Sequence, residues 1–418
     1  MHIWRRCHTD AYQNGFWNPG KALAALAAIG ASLFGLTGVG RAQGIVALAS
    51  FNPSNLTGGS FPYAGLTPFG GNLYGTTYLS PNGDGTVFSV PVTGGAPTTL
   101  ASFNSQNGAN PYGGVTLSGS TLYGTTENGG ASGYGTVFSV PLAGGAPTTL
   151  ASFNNTDGAN PKSGLILSSG ILYGTTMSGG AYGHGTVFSL PVTGGTPTTL
   201  ASFSGTDGSA PGGLTLSGGT LYGTAGGGGA NGYGAVFSLP TTGGSPGVLA
   251  SFNYTNGQDP SGRLTLSGGI LYGTTVSGGA NGDGTVFSVP ITGGAPTTLA
   301  SFNSQNGANP YGGVTLSGST LYGTASSGGD ANGDGTVFSL PLTGGTLTEV
   351  APFNGTDGAS PQAGLAISGG TLYGTTLKGG AGYGTVFALA VPEPTGVAPF
   401  AVAGLALILR RRHLTLAD

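Results

Sequence analysis

The chain has 418 residues, a formal net charge of −3, 88 glycines and only 6% charged residues, while 38% of its residues are apolar. The apolar residues recur at fixed positions and the glycines show no three-residue period, which argues against a disordered chain and against collagen. Residues 44–390 hold ten acidic and three basic residues, so no basic stripe can neutralise phosphates and we expect no nucleic-acid partner.

The first segment in chain order, residues 1–42, is predicted to be a secretory signal peptide. Residues 22–39 form an alanine-rich apolar run behind basic residues, and small residues surround a cleavage point near Ala42. Signal peptidase is therefore an expected partner. The Arg5-Arg6 pair leaves twin-arginine export open, although it lies far from the apolar run.

Residues 43–390 repeat one unit seven times, with a spacing of 49 to 52 residues. Each unit contains a Leu-Tyr-Gly phrase, a Gly-(Thr/Ala)-Val-Phe strand and a further strand that carries a phenylalanine. The tyrosines of the first phrase are Tyr74, Tyr123, Tyr173, Tyr222, Tyr272, Tyr322 and Tyr373. A period of this length indicates a supersecondary unit that buries its apolar face only by stacking on copies of itself.

Each unit supplies four short strand candidates separated by Gly, Pro, Asn and Asp. In the second unit they are residues 115–117, 121–126, 136–140 and 148–153, with apolar side chains on both faces, as in a sheet covered on both sides. The repeat therefore predicts an all-β, seven-bladed β-propeller. A β-solenoid or a stacked sandwich is the alternative.

The ends of the repeat body predict how the ring closes. The body opens with a lone strand, residues 45–51, and ends on residues 385–389 without a partner strand. We expect the N-terminal strand to pair into the last blade, so that no sheet edge stays open. The Thr76-Thr77 pair and its equivalents lie inside a strand, so we expect them to form hydrogen bonds within the blade.

The repeats resemble the GloVer tandem-repeat family of bacterial surface proteins, which carry interchangeable anchoring tails. The resemblance rests on Leu-Tyr-Gly-Thr-Thr followed by Gly-Thr-Val-Phe, recurring across residues 45–390. It implies a surface location and no particular reaction.

Strand parity, meaning that consecutive strands of a blade run in opposite directions, predicts that the short turns share one face of the propeller and the long loops share the other. A variable position just before Gly-(Thr/Ala)-Val-Phe falls in these long loops, and it samples side chains that stack on sugars or accept hydrogen bonds. Around the ring the seven residues are Asp84, Tyr134, His184, Tyr233, Asp283, Asp334 and Tyr383. Since binding residues often lie on loops held by a rigid scaffold, we expect this face to contact glycans, with exopolysaccharide as a partner. The alternative is that these are solvated loop residues whose tyrosines pack between blades.

No cofactor is expected, although the Asp- and Asn-rich loops leave calcium possible. Residues 281–284 and 332–335 lack the full spacing of a calcium-binding loop. No metal ligand set and no catalytic residue is predicted, because His184 is the only histidine of the body. Asp330 with Asp334 is the one close carboxylate pair that could serve a glycosidase.

The last segment, residues 391–418, is predicted to be a sorting tail. Pro392, Glu393 and Pro394 precede an apolar stretch and the cluster Arg410, Arg411 and Arg412. This order resembles the PEP-CTERM sorting signal of Gram-negative bacteria. The resemblance implies transient membrane insertion, tail removal by an exosortase-type enzyme, and delivery to the cell surface or extracellular matrix. A plain membrane tail is the alternative.

Together these features predict an exported structural or binding module of the cell surface or matrix, not an enzyme. The alternative is a secreted carbohydrate-active enzyme, either a polysaccharide lyase or a glycoside hydrolase. An enzyme would need charged groups that converge in the central channel. The expected inner strands, residues 115–117, 165–167 and 214–216, carry almost none.

Overall fold

A computed structural model describes residues 44–52, 58–329 and 332–391. Several predicted features lie outside these residues. The predicted signal peptide lies outside them entirely, and so does the predicted sorting tail apart from Val391. The processing residues in these segments are Ala42, Pro392, Glu393, Pro394, Arg410, Arg411 and Arg412. Asp330 of the close carboxylate pair also lies outside the described residues. Within the described part of the chain there is no helical segment with the length and hydropathy of a membrane span.

The described residues form seven four-stranded antiparallel sheets, arranged as the blades of a β-propeller. The first strands are β2 (Thr67–Phe69), β6 (Thr116–Ser118), β10 (Ile166–Ser168), β14 (Ser209–Ser217), β18 (Thr265–Ser267), β22 (Thr315–Ser317) and β26 (Ala366–Ser368). The second strands are β3 (Asn72–Thr77), β7 (Thr121–Thr126), β11 (Ile171–Thr176), β15 (Thr220–Gly227), β19 (Ile270–Thr275), β23 (Thr320–Ala325) and β27 (Thr371–Thr376).

The third and fourth strands complete each blade. The third strands are β4 (Thr86–Pro91), β8 (Thr136–Pro141), β12 (Thr186–Pro191), β16 (Ala235–Pro240), β20 (Thr285–Pro290), β24 (Thr336–Pro341) and β28 (Thr385–Ala390). The fourth strands are β5 (Thr98–Ser102), β9 (Thr148–Ser152), β13 (Thr198–Ser202), β17 (Gly247–Ser251), β21 (Thr297–Ser301), β25 (Thr348–Pro352) and β1 (Val46–Ser50). The predicted seven-bladed architecture is confirmed, and the strands predicted in the second unit agree to within one residue at each end.

The core lies between blades. One buried cluster joins Tyr74 and Val87 of the first blade to Val115, Leu122 and Phe138 of the second. The phenylalanine that follows each fourth strand meets the third-strand phenylalanine of the next blade edge-to-face, with ring centroids 4.8 to 5.0 Å apart. The apolar face that a single unit cannot cover is therefore covered by its neighbour.

The glycine of Leu-Tyr-Gly makes room for this aromatic contact. A Cβ at Gly124 would lie 2.5 Å from Cζ of Phe138, and the equivalent glycines face their phenylalanines in the same way. Because such a separation is far below van der Waals contact, any larger side chain would push the ring out of its place. The repeated Tyr-Gly therefore has a packing reason.

Strand β1 closes the ring as predicted. It pairs antiparallel with β28, with Val46 opposite Ala388 and Ser50 opposite Thr385. Phe51 then packs on Phe88 of the first blade, with centroids 5.0 Å apart. The first and last blades thus meet through the same contact as every other pair.

The two threonines of each Thr-Thr pair form hydrogen bonds with different partners. The second threonine bonds within the blade as expected: the hydroxyls of Thr77 and Thr86 lie 2.7 Å apart, and four other blades repeat the pair. The prediction was wrong for the first threonine, because Thr76 Oγ1 donates to the carbonyl of Gly113 in the next blade. This bond recurs at all seven junctions, including Thr375 to Ala64 across the closure.

We predict that Phe51→Ala lowers the free energy of unfolding by about 3–5 kcal/mol, because it removes a fully buried ring from the closing junction. Val46→Ala on the same strand is the control, since Val46 is 57% exposed and should change stability by less than about 0.5 kcal/mol. Denaturant unfolding of both variants measures the difference. Equal effects of the two changes would contradict the closing role of Phe51.

Candidate functional site

All long loops lie at one end of the blades, as strand parity predicted. In each antiparallel sheet the loop after the second strand and the loop before the first strand share that end. The two loops are bonded to each other: in the second blade the Ala109 and Asn128 backbones exchange two hydrogen bonds. This loop face is therefore a continuous, hydrogen-bonded layer.

The seven variable residues lie in this layer, and their backbone joins one blade to the next. The carbonyl of Tyr134 accepts a hydrogen bond from the Asn160 amide of the following blade, at 2.9 Å. The same bond is formed by the carbonyls of Asp84, His184, Tyr233, Asp283, Asp334 and Tyr383. Because the backbone carries the structural contact, the side chain can vary without loss of the junction.

Six of the seven variable side chains fall into two groups, and the seventh, Asp334, is half-buried. Asp84 accepts a hydrogen bond from the Ser105 hydroxyl, and Asp283 accepts two from Ser304, so these carboxylates stabilise the neighbouring loop. Tyr383 is half-buried and its ring meets Phe61 at 5.7 Å. These contacts limit what these three side chains can offer to a ligand.

Tyr134, His184 and Tyr233, from three consecutive blades, are exposed. Tyr182, in the loop that carries His184, is 65% exposed. The rings of Tyr233 and Tyr254 meet at 5.9 Å. One sector of the loop face thus presents aromatic side chains to solvent.

A second candidate site lies on the propeller axis, in a cavity of about 590 Å³. The first strand of each blade, or the short segment before it, lines this cavity. Much of the wall is glycine backbone. The residue directly after the loop proline faces the cavity and varies between repeats: it is Tyr63, Tyr112, Lys162, Ser261, Tyr311 or Gln362.

Tyrosines cluster at this cavity. The rings of Tyr63 and Tyr112 stack with centroids 4.5 Å apart and an interplanar angle of 22°, and Tyr78 packs against both edge-on. Lys162 lies over the Tyr112 ring and forms an ion pair with Glu127 at 3.1 Å. Desolvation, with smaller effects from the other tyrosines and Glu127, raises the pKa of Tyr112 to about 12, so its phenol stays neutral and able to donate a hydrogen bond.

Arg263 also faces the cavity, at a position where most repeats have glycine. The equivalent residues are Gly65, Gly114, Gly164, Gly313 and Gly364, while the fourth repeat is one residue shorter. The side chain keeps accessible surface, yet the surrounding protein desolvates it and lowers the pKa of its guanidinium. Within the described residues no hydrogen bond or ion pair engages this guanidinium.

Across residues 44–52, 58–329 and 332–391, no three His, Cys, Asp or Glu side chains converge as a metal site would require. In the loop that left calcium possible, the Asp283 carboxylate instead accepts hydrogen bonds from Ser304. The geometry of the described loops therefore adds nothing in favour of calcium.

The axial residues were not predicted as a site. The sequence does contain a signal for them, since the residue after the loop proline takes large and varied side chains while the next residue is always small: Ala, Gly or Ser. Arg263 is a second signal, because a large cation replaces a repeated glycine. Neither signal says that seven separate segments meet on one axis, which requires the closed ring.

Comparisons with known proteins place the chain in a repeat family and show its fold. A family model described as the Gloeobacter/Verrucomicrobia repeat matches residues 25–225 and 212–387. A search of curated proteins finds no match.

Solved structures share the propeller. The extracellular domain of a protein assigned as a hybrid two-component system of B. thetaiotaomicron is 10% identical, with a TM-score of 0.53, and the match covers 82% of this chain and 39% of that one. A puromycin-hydrolyzing peptidase of Mycobacterium tuberculosis is 12% identical, with a TM-score of 0.50, over 84% of this chain and 55% of that one. At such identities the likeness concerns the fold alone.

Proposed function

This chain belongs to the Gloeobacter/Verrucomicrobia repeat family, and from that premise we propose that it is an exported module of the cell surface or extracellular matrix. A propeller of this repeat family fits a structural or binding module. The proposed role is to hold exopolysaccharide against the loop face. The single observation that carries the binding role is the sector of exposed aromatic side chains on a face fixed by backbone hydrogen bonds.

Export is proposed from the two terminal segments. Residues 1–42 have the pattern of a signal peptide that signal peptidase would remove near Ala42. Residues 391–418 have the Pro-Glu-Pro, apolar and arginine order of the PEP-CTERM signal. In this proposal the tail inserts transiently in the membrane, its arginines stay cytoplasmic, and an exosortase-type enzyme removes it.

Glycan contact is proposed for the exposed members of the variable position. A tyrosine offers an apolar ring with a polar tip, which suits the mixed faces of a sugar. Tyr134 and Tyr233 are 39% and 36% exposed while their backbone carbonyls accept hydrogen bonds from the following blade. A side chain that is exposed on a rigid loop binds without first paying to order that loop.

Binding is proposed in preference to turnover. The described residues that line the axial cavity include Lys162 and Arg263 and no carboxylate. Glycoside hydrolysis uses a pair of carboxylates, and nothing in the described lining supplies such a pair.

We predict that the double variant Tyr134→Ala/Tyr233→Ala lowers the affinity of the full chain for its exopolysaccharide by about tenfold or more, because both exposed rings are lost. A glycan array followed by titration measures this effect. Ile291→Ala is the matched control, since Ile291 is 37% exposed and lies in a short turn at the opposite end of the blades. Unchanged binding by the double variant would remove this part of the loop face from the proposal.

We predict that deletion of residues 391–418 moves the protein from the surface or matrix fraction to the medium or periplasm, because the signal for tail processing is lost. Cell fractionation with mass spectrometry of the mature chain measures both location and processing. Replacing Arg410, Arg411 and Arg412 by alanine tests the arginine cluster alone. An unchanged distribution of the deletion variant would contradict the proposed sorting role.

A further inference from the structure

The basic residues of the repeat body are concentrated at the propeller axis. Residues 44–390 contain only Lys162, Arg263 and Lys378 as cations, and the first two line the axial cavity. The body also contains ten acidic residues, and among the described residues none of them lines the cavity. Glu127 pairs with Lys162 at 3.1 Å, so the positive charge left unpaired at this concave wall is that of Arg263.

The two cations differ in what they can offer a ligand. Lys162 is already paired with Glu127 and lies against Tyr112. The Arg263 guanidinium has no acceptor among the described residues, and its side chain is exposed at the cavity wall. A guanidinium without a partner presents several donors in a fixed fork that matches a carboxylate.

Arg263 lies where the segments of adjacent blades pass close together. A Cβ built on Gly213 would lie 3.1 Å from the Arg263 Cβ, and one on Gly313 would collide with the Arg263 carbonyl. Equivalent glycines make the same close approach at other junctions, since a Cβ on Gly114 would lie 2.8 Å from the Gly65 carbonyl. The glycines therefore serve the close packing of the backbone, and Arg263 departs from them by carrying a long cationic side chain into the cavity.

The rest of the cavity supplies groups suited to a sugar. Tyr63, Tyr112 and Tyr311 provide rings and hydroxyls, and Ser261, two residues before Arg263, also lines the cavity. The volume of about 590 Å³ is within the range of ligand sites. Aromatic rings, hydroxyls and one free guanidinium in one cavity favour a ligand that is both polyhydroxylated and anionic.

We propose that the axial cavity binds an acidic saccharide, with the carboxylate of a uronic acid on the Arg263 guanidinium and sugar rings against the tyrosines. This inference rests on the proposed function and makes it specific, since it names the class of glycan and its point of attachment. In this proposal the loop face contacts the remainder of the polysaccharide, and the axial cavity selects saccharides that carry a negative charge.

The test compares two oligosaccharides of equal length by isothermal titration calorimetry on the purified full chain: oligogalacturonate and a neutral gluco-oligosaccharide. The wild type is expected to bind the acidic one about tenfold more tightly, because one hydrogen-bonded charge pair is worth about that ratio. Added salt should reduce this preference. Arg263→Gly, which restores the residue of the other repeats, should abolish it.

Arg263→Gln keeps the length of the side chain and removes only its charge, so it should give the same loss. Lys378→Gln is the matched control, because it removes the third cation of the body from a loop outside the cavity. It should leave both affinities unchanged. Unfolding midpoints equal to wild type establish that the Arg263 variants are folded.

The outcomes separate the two proposals. Equal binding of acidic and neutral oligosaccharides, or a preference that survives in both Arg263 variants, overturns the acidic-saccharide site and leaves glycan binding standing. Absence of binding to either oligosaccharide and to the glycan array overturns both. Loss of the preference in Lys378→Gln as well would assign it to net charge and overturn the axial site.

Discussion

The structure depends on one contact that is repeated seven times, in which a phenylalanine that follows a fourth strand packs edge-on against the third-strand phenylalanine of the next blade. The two rings of each pair come from different blades, so each blade packs against both neighbours. The glycine of Leu-Tyr-Gly provides the space, and a threonine bond to the next blade fixes the spacing. Because the aromatic contact and the threonine hydrogen bond stabilise every junction, the chain is most stable when no junction is left open. Strand β1 therefore completes the last blade.

Much of this could be predicted from the sequence, since the information is periodic. Strand positions, blade number and the pairing of β1 with β28 follow from a repeat array that opens with a lone strand and ends one strand short of a complete blade. The role of Thr76 was not predictable, because a strand residue gives no sign of whether its hydroxyl points along the blade or across to the next one. The axial cluster was missed for a related reason. Tyr63, Tyr112 and Lys162 are about fifty residues apart in sequence, and only the closed ring brings them together.

Function is expected where the copies differ. At the variable position the backbone carbonyl performs the structural task, so the side chain is free to diverge. At the axis, Arg263 replaces a glycine that the other repeats have, beside a repeat that is one residue shorter. Both departures lie on the ligand-accessible parts of the propeller, while Leu122, Phe138 and their equivalents are fully buried. The framework thus fixes the geometry, and these few substitutions determine the chemistry of the loop face and the axis.

The most direct test of this account is chemical cross-linking across the closure. Val46→Cys and Ala388→Cys, in a Cys7→Ser background, place two thiols on residues that are directly paired in the closed ring. A short bis-thiol reagent is expected to join them within one chain, giving a single intramolecular adduct by mass spectrometry, while each single variant gives none. Two thiols that react separately in the folded protein would show that the ends do not meet, and would contradict the closed seven-bladed ring.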